Sequence, residues 1–486
     1  MSHRRRASLL AMAALAAILL PSLLTAQITF QRTYGELNND YGYSVEQTTD
    51  GGYVITGSTW ADSGDHGDVY LVKTDALGDT AWNKTYGESG FEKGYSVRQT
   101  ADSGFLVVGY SFPDSGTRDV FLLRTDCGGD TLWTRTYGGA NADRGYSGQQ
   151  TADGGFVLTG YTCSQGAGGC DAYIVKTDAL GETLWTRTFG GLLDDFARSV
   201  QQTGDSGYVI TGATSSRGAG SYDVYLIKTD ADGDTLWTRT FGDTAIDVGN
   251  SVRQTADGGY IVAGYTWSSG AGREDLYLIK TDANGDALWT RTCGGESGDV
   301  GYSVEQTADG GCIVAGATSS IGAGGADVYL VKVDSNGDTL WTRTFGGAAD
   351  DSGYSIRQTT DGGYVVAGTT WSFGAGGCDV YLIKTDSLGN VAVAEPKASP
   401  APKQGISLTC EPNPCRSSTV LHLTTGPLDH STTLRIFDSQ GRLVHSSSGI
   451  RASSFPLDMR SMAAGAYFLC LDAGDRHATT RLVLQR

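Results

Sequence analysis

Apolar and polar residues follow a pattern that returns about every 52 residues between residues 30 and 390. Each repeat contains four short segments, typified by SVRQT, GGYIVAG, DLYLIKTD and DALWTRT. The second and third segments are almost continuously apolar, which is typical of strands covered on both faces. The fourth alternates, with Trp and Arg on one side and Leu and Thr on the other, and this predicts a half-exposed outer strand.

The fourth segment gives the period of the repeat. Its tryptophans recur at spacings of 51, 52, 52, 52 and 52 residues, at Trp82, Trp133, Trp185, Trp237, Trp289 and Trp341. Four strands per unit and a period near fifty predict the blades of a β-propeller. Turns such as TADGG and TDANGD supply the Asp, Asn and Gly that tight hairpins need.

The two ends of the repeat region complement each other. The first three segments occur seven times, whereas a tryptophan strand follows a third segment only six times. The stretch ITFQRTYG supplies the missing copy, because Phe30 lies 52 residues before Trp82. At the other end NVAVAEP stands in the place of the last copy, but Pro396 interrupts it. We therefore predict an all-β fold with a seven-bladed β-propeller closed by its N-terminal strand.

Composition changes at both ends of this region and predicts the domain organisation. Residues 1–26 combine three arginines with an apolar run and a final small residue, which is typical of a signal peptide; a retained membrane anchor is the alternative. Residues 27–390 hold the propeller, and residues 391–405 read as an extended Ala- and Pro-rich linker. Residues 406–486 form a second domain of short alternating strands.

Net charge and cysteine content restrict the possible partners and indicate candidate disulfides. The chain of 486 residues carries a formal charge of −18, and nucleic acid is excluded as a partner because its phosphates need a basic surface. After the leader we find no apolar run long enough for a transmembrane segment. The nine cysteines of this exported chain include two neighbouring pairs, Cys163 with Cys170 and Cys410 with Cys415, which are the candidate disulfides.

Two resemblances extend these predictions. The tryptophan strands resemble the docking motif of bacterial quinoprotein-type propellers, and the repeat from Ile28 to Asn390 is similar to that of secreted bacterial seven-bladed propellers; a kelch repeat is the alternative. EPNP (Glu411–Pro414), LRIFDSQGRLV, LDMRSMAAGAYFLCL and the final RLVLQR resemble a type IX secretion system C-terminal (Por) sorting domain. That resemblance implies a small C-terminal β-sandwich and the type IX secretion machinery as a partner; an immunoglobulin-like adhesive module is the alternative.

An acidic residue precedes each inner strand of the propeller. These residues are expected to ring one mouth of the central channel, where they either attract a cation or cap their own loops by accepting hydrogen bonds from backbone amides. The seven are Asp40, Glu92, Asp143, Asp195, Asp247, Asp299 and Asp351. Turns such as DADGD (Asp230–Asp234) have three carboxylates that suit calcium. Sister turns such as DALGD lack the middle carboxylate, so we predict that these residues shape a tight hairpin and do not bind calcium. We expect no metal and no cofactor.

Aromatic residues occupy one position of the longer loops that join the second and third strands. They are Trp60, Phe112, Trp267 and Trp371, and the other blades have Cys or Ser there. Because the last, first and second blades are neighbours in a closed ring, we expect Trp371, Trp60 and Phe112 to form an arc. Such an arc is either a platform for a sugar or packing over the blade tops.

These observations favour a binding protein. His66 is the only histidine of the propeller, which argues against histidine-based triads and metal sites. We expect a non-enzymatic propeller that passes through the periplasm, is secreted or displayed at the cell surface, and binds an extracellular glycan or protein. The alternative is a secreted polysaccharide hydrolase or lyase that uses carboxylates on the face of the long loops.

Overall fold

The computed structural model describes residues 27–60, 67–87, 90–113, 116–391, 407–424, 432–438, 443–448, 454–473 and 476–485. The predicted leader and nearly all of the predicted linker lie outside the described residues. The chain divides into two compact units, Met1–Val393 and Ala394–Arg486. The described part of the chain contains no helix with the length and apolarity that a membrane crossing requires.

Seven four-stranded antiparallel sheets make up the described part of the first unit, which confirms the predicted β-propeller and fits the predicted seven blades. Blades 1 to 6 each use four consecutive strands, which we call inner, second, third and outer. The strands are β1 (Phe30–Tyr34), β2 (Asp40–Gln47), β3 (Tyr53–Trp60), β4 (Gly67–Thr74), β5 (Thr80–Tyr86), β6 (Gly90–Gln99), β7 (Phe105–Pro113), β8 (Asp119–Thr125), β9 (Thr131–Tyr137), β10 (Asp143–Gln150), β11 (Phe156–Thr162), β12 (Asp171–Thr177), β13 (Thr183–Phe189), β14 (Asp195–Gln202), β15 (Tyr208–Thr214), β16 (Asp223–Thr229), β17 (Thr235–Phe241), β18 (Asp247–Gln254), β19 (Tyr260–Thr266), β20 (Asp275–Thr281), β21 (Ala287–Cys293), β22 (Asp299–Gln306), β23 (Cys312–Thr318), β24 (Asp327–Val333), β25 (Thr339–Phe345), β26 (Asp351–Gln358), β27 (Tyr364–Thr370) and β28 (Asp379–Thr385).

Blade 7 combines the two ends of the repeat region. Its sheet has the order β1-β28-β27-β26, so the N-terminal strand is the outer strand of the last blade, as predicted. Strand β1 pairs antiparallel with β28 from Phe30 opposite Lys384 to Tyr34 opposite Val380. This pairing removes the open edge that β28 would otherwise present.

Burial follows the predicted pattern of apolar positions. Four of the third strands, such as β16, are buried at every position and the other three at all but one, because neighbouring blades cover both of their faces. The outer strands, such as β21, alternate between exposed and half-buried positions. The hydrophobic clusters therefore lie between successive blades, as in the cluster that combines β1 and β28 with strands of blade 1.

Each outer strand docks on the next blade through its tryptophan. The ring of Trp185 in blade 3 packs against Gly233 in the turn before the outer strand of blade 4, and edge-on against Tyr208 with ring centroids 5.9 Å apart. Arg187 stacks on the same tryptophan and forms an ion pair with Asp234 at 3.2 Å. Phe30 makes the equivalent contacts with Gly78 and Tyr53 of blade 1, so the closing strand uses the same interface.

Glutamines at the ends of the inner strands form a closed ring of hydrogen bonds. The side-chain oxygen of each accepts a backbone N–H from the first turn of the preceding blade, at 2.8–3.1 Å. The bond from Thr360 N to Gln47 Oε1 joins blade 7 to blade 1. The ring therefore closes through polar contacts as well as through β1.

The docking contact predicts different costs for two glycine substitutions in hairpin turns. Gly233 has φ +80° and Gly258 has φ +84°, so alanine is strained at both by about 1 kcal/mol. A Cβ on Gly233 would lie 2.6 Å from the Trp185 ring, whereas a Cβ on Gly258 meets nothing within 4 Å. Gly233→Ala should therefore lower the free energy of unfolding by about 1–3 kcal/mol more than Gly258→Ala in thermal or denaturant unfolding. Equal losses would contradict the docking role.

The second unit is a sandwich of two antiparallel sheets, which confirms the predicted fold class. Its strands are β29 (Ser407–Glu411), β30 (Ser418–Thr424), β31 (Thr433–Asp438), β32 (Leu443–Ser448), β33 (Ser454–Asp458), β34 (Gly465–Ala473) and β35 (Arg476–Leu484). The sheet orders are β29-β30-β33 and β32-β31-β34-β35. Leu421 from one sheet and Leu469 from the other are fully buried in a single core. The turn predicted within LRIFDSQGRLV lies outside the described residues.

Candidate ligand site at the channel mouth

Two sets of loops share one face of the propeller, which we call the long-loop face. One set joins second to third strands, and the other joins each outer strand to the next inner strand. Backbone hydrogen bonds connect the two sets, for example from Trp267 N to Ile246 O at 2.8 Å and from Trp371 N to Asp350 O at 3.0 Å. Both sets therefore surround the same end of the central channel.

The four predicted aromatic residues lie on this face but are not stacked together. Trp267 and Trp371 are 48% exposed and Phe112 is 40% exposed. Trp60 is half-buried and packs edge-on against Phe91, with ring centroids 5.4 Å apart. Within the described residues, no ring contact joins Trp371, Trp60 and Phe112, so the exposed members offer separate surfaces.

The seven predicted acids are buried at the starts of the inner strands. Six of them, the aspartates, accept the backbone N–H of the residue four positions earlier, at 2.8–3.1 Å. Five also accept a hydrogen bond from a loop serine, as Asp195 does from Ser216 at 2.7 Å. Glu92 accepts one from Ser111 at 2.7 Å. These carboxylates hold the loops in place, and other residues line the cavity of the channel mouth.

A second aspartate stands beside each of these acids, near the start of a third strand, and five of these seven aspartates are buried. Asp171 and Asp195 both approach Gly190, and Asp223 and Asp247 both approach Gly242. Burial raises the pKa of Asp171 and Asp223, and the neighbouring carboxylate raises each further. Within the described residues, no group of three or more His, Cys, Asp or Glu side chains is arranged to hold a metal ion.

A different set of aspartates pairs with buried cations on the opposite face. Asp205, in the first turn of blade 4, accepts a hydrogen bond from Lys228, whose Nζ lies 2.8 Å away. Burial acts to raise the pKa of Asp205, but hydrogen bonds from Lys228, Thr203 and a backbone amide outweigh it and lower the pKa to about 2. Asp50, Asp153 and Asp257 have the same arrangement and pKa values of about 2.

These opposite shifts predict a stability maximum on the acid side of neutrality. The raised pKa values make the charged pairs destabilising, so the melting temperature should rise as pH falls towards 3.8, the ordinary value for Asp. The lowered pKa values of Asp205 and its counterparts contribute stability that is fully present above pH 3.8 and is lost as the pH falls towards about 2. Asp223→Asn should weaken the rise and Asp205→Asn the fall, in melting curves recorded across this range. A melting temperature that only increases between 3.8 and neutrality would contradict the first effect.

One of the two candidate cysteine pairs is bonded. Cys163 and Cys170 form a disulfide across the long loop of blade 3. Cys410 and Cys415 are buried free thiols that pack in the core of the sandwich. Small buried thiols of this kind behave as hydrophobic side chains.

The channel mouth is lined by one side chain from each inner strand, which we call the mouth ring. It consists of Tyr43, Tyr95, Tyr146, Arg198, Asn250, Tyr302 and Tyr354, around a cavity of about 410 Å³. Neighbouring tyrosines touch through tilted rings, with centroids 4.9–5.4 Å apart. Burial raises the pKa of Tyr43 and Tyr302, so their hydroxyls stay protonated and available as hydrogen-bond donors.

Basic side chains cluster on one side of this ring. Lys93 lies 5.6 Å from the centre of the Tyr43 ring, Arg144 lies 4.9 Å from that of Tyr110, and Arg198 lies 4.9 Å from that of Tyr146. Burial lowers the pKa of Lys93, and the nearby charge of Arg144 lowers it further. This side of the mouth therefore concentrates positive charge against aromatic faces.

Three positions further along each inner strand comes a second polar ring, which we call the arginine–glutamate ring. The pKa of Arg98 is lowered to about 10, first by burial and then by the charge of Arg357 from blade 7, while the charges of Glu46 and Glu305 act to raise it. Charges from several blades thus converge below the mouth. The ring consists of Glu46, Arg98, Gln149, Gln201, Arg253, Glu305 and Arg357.

The mouth ring was not among the residues predicted from the sequence. Its signal is present in the repeat, because blades that match closely elsewhere differ at the first channel position after each acid, and Arg198 and Asn250 break the run of tyrosines at the second. Lys93 and Arg144 occupy the first of these positions, where blades 5 and 6 have Val248 and Val300. Comparing the blades position by position would have found it.

The second unit matches a known family. Residues 412–485 match the model of the secretion system C-terminal sorting domain. This unit is a C-terminal sorting domain. The protein is therefore exported by the type IX secretion system to the cell surface or the extracellular space.

The chain also has distant likenesses to other proteins. Over 335 residues the chain is 28% identical to the regulatory protein FlaEY of Caulobacter vibrioides; this covers 58% of the chain and 34% of that protein, so the chain spans about a third of its length. The WD40 domain of Neurospora crassa Pan2 is 9% identical with a TM-score of 0.42, over 72% of this chain and 89% of that one. A fungal alcohol oxidase of the AA5 family, solved with copper, is 12% identical with a TM-score of 0.44, over 94% and 99%.

Proposed function

We propose that the exported propeller is a non-enzymatic binding protein that takes an extracellular glycan or protein on its long-loop face. The observation that carries this proposal is the divergence of the blades at the channel mouth. Positions that dock one blade on the next are nearly the same in every repeat, as are the capping acids. The residue directly after each acid varies widely among the blades, and in the mouth ring Arg198 and Asn250 replace the tyrosine of the other five blades, around an open cavity. Folding alone does not require that difference, whereas an asymmetric ligand does.

Exposed aromatic residues support the same face. Trp267 and Trp371 present 48% of their surface to solvent on loops around the mouth. Tyrosine, tryptophan and arginine together are the side chains that most often anchor a ligand or partner protein.

The hydrolase or lyase alternative has less support. It required carboxylates free to act on a substrate at the long-loop face. The seven acids predicted for that role are buried and accept hydrogen bonds from their own loops or neighbouring strands. We therefore place binding first.

The experiment is a binding and turnover assay on the purified protein without its leader. A panel of soluble polysaccharides and extracellular proteins is scored both for retention and for release of products. We expect retention without products, and replacing both Trp267 and Trp371 with Ala should weaken it by about tenfold or more. Leu236→Ala is the matched control, because Leu236 is 57% exposed on an outer strand away from this face. Product release would favour the alternative.

A further inference from the structure

The channel carries positive charge in an otherwise acidic protein. The seven capping acids at the starts of its inner strands are buried and hydrogen-bonded to their own loops or neighbouring strands. Beyond them the inner strands contribute two carboxylates, Glu46 and Glu305, and six basic side chains, Lys93, Arg98, Arg144, Arg198, Arg253 and Arg357. The chain as a whole has a formal charge of −18. A narrow cleft lined by one sign of charge focuses its field and attracts ligands of the opposite sign.

The cations nearest the mouth contact aromatic rings. Among the described residues, none of Lys93, Arg144 and Arg198 forms an ion pair with a carboxylate. The Nε of Arg144 is buried without a hydrogen-bond acceptor. A buried guanidinium nitrogen in that state favours an incoming anionic acceptor.

The rest of the mouth ring suits the ring of a sugar. Its five tyrosines follow one another around the mouth in a single arc of touching rings and offer aromatic surface next to hydroxyl groups. Such surfaces pack against the C–H faces of a pyranose while their polar tips bond its hydroxyls. The cavity of about 410 Å³ lies within the ordinary range of small-ligand pockets, and the arginine–glutamate ring lies below it.

We propose that the mouth ring binds the acidic terminal unit of a carboxylate-bearing glycan, with Arg144, Arg198 and Lys93 around the carboxylate and the tyrosines against the sugar ring. This rests on the proposed binding function and specifies its ligand class. The ligand enters from the long-loop face, and Trp267 and Trp371 contact its next units.

Sister blades provide substitutions that the fold already accepts. Arg198→Tyr installs the residue that five other blades carry in the mouth ring, and Arg144→Val installs the residue of blades 5 and 6. Both remove positive charge from the mouth. Arg273→Gln is the matched control, because Arg273 is exposed in a long loop of blade 5 and lies outside the mouth ring.

The test measures affinity by calorimetry with galacturonate di- and trisaccharides, the same saccharides with their carboxyl groups reduced, a glutamate-rich peptide and inorganic phosphate. We expect the uronate saccharides to bind. Reduction of their carboxyl groups should weaken binding by about tenfold or more, and so should each of the variants Arg198→Tyr and Arg144→Val. Arg273→Gln should change affinity by less than about twofold, and binding should weaken with salt. Melting temperatures establish that each variant is folded.

Other outcomes overturn the ligand class. Equal binding of acidic and reduced saccharides would refute the proposed ligand class, and so would an unchanged affinity in Arg198→Tyr and Arg144→Val. If binding in that case still depended on Trp267 and Trp371, the proposed binding function would hold without this ligand class. Failure of every uronate saccharide to bind would also refute the ligand class. Preferential binding of the peptide or of phosphate through the same arginines would assign the site to a different anion.

Discussion

Deleting residues 27–35 should turn the closed propeller into an open, aggregation-prone array of blades. The deletion removes β1, which pairs with β28 at five positions. Every residue of β28 is buried in the intact protein, and the deletion leaves the edge of this strand uncovered. It also removes Phe30, which contacts Gly78 and Tyr53, and the hydrogen bond from the Tyr34 hydroxyl to Gly78 O at 2.7 Å. An uncovered apolar strand readily pairs with another chain.

The loss should exceed that from removing one aromatic side chain. Phe30→Ala alone removes packing worth about 3–5 kcal/mol. The deletion also uncouples blades 7 and 1, and stability in a repeat array depends on the interfaces between neighbours. We expect a melting temperature well below that of Phe30→Ala, together with oligomers in size-exclusion chromatography.

Phe30→Trp is the control for register. Six sister strands carry Trp at this position, packed on a glycine of the next blade as Phe30 packs on Gly78. The substitution should leave stability unchanged or increase it. A deletion variant that stays monomeric with the melting temperature of the intact protein would show that β1 does not close the ring.

This closure could be predicted from the sequence because period and register are properties of the chain itself. A strand with Phe30 located 52 residues before Trp82 has one place in the ring, and the apolar run of β28 requires a partner on its open side. The hairpin turns were predicted to need Gly, and the structure adds that the Gly in each turn after a third strand receives the tryptophan of the preceding blade, or Phe30 in the case of Gly78.

The channel mouth could not be predicted in the same way because a β-bulge changes which residues face it. In every inner strand the register shifts around one residue, as between Gly42 and Ser44 in blade 1. The skipped residue, here Tyr43, lies in the mouth ring. Simple alternation along a strand does not place such a residue, since a bulge re-aims the side chain. The acids near the start of each inner strand were predicted as site residues instead, although they are buried between loops.

Loop side chains were the other limit of sequence reasoning. The arc of Trp371, Trp60 and Phe112 assumed that equivalent loop positions on adjacent blades come into contact. Trp60 instead packs against Phe91, and Arg118 lies 5.2 Å from the centre of the Phe112 ring. Equivalence in a repeat fixes backbone position, but the partner of a loop side chain depends on residues that differ from blade to blade, such as Phe91 of blade 2.

Removing the sorting domain should leave a folded propeller that is trapped in the periplasm. The two units form separate compact bodies with their own cores, so deletion of residues 406–486 removes no strand from the propeller. The type IX machinery would then have no C-terminal domain to recognise. In a host competent for type IX secretion, we expect the truncated chain to be protease-resistant in periplasmic extracts and missing from the medium and cell surface.

A pair of adjacent residues separates recognition of a folded domain from mere chain length. Leu469 is fully buried in the sandwich core, whereas its neighbour Phe468 is 47% exposed on the other side of β34. Leu469→Asp places a carboxylate in the core at a cost of several kcal/mol and should reproduce the trapped state of the deletion. Phe468→Asp introduces the same charge at the surface and should be exported normally. Export of the Leu469→Asp variant would mean that the machinery reads a linear segment, and export of the truncated chain would mean that this domain does not direct sorting at all.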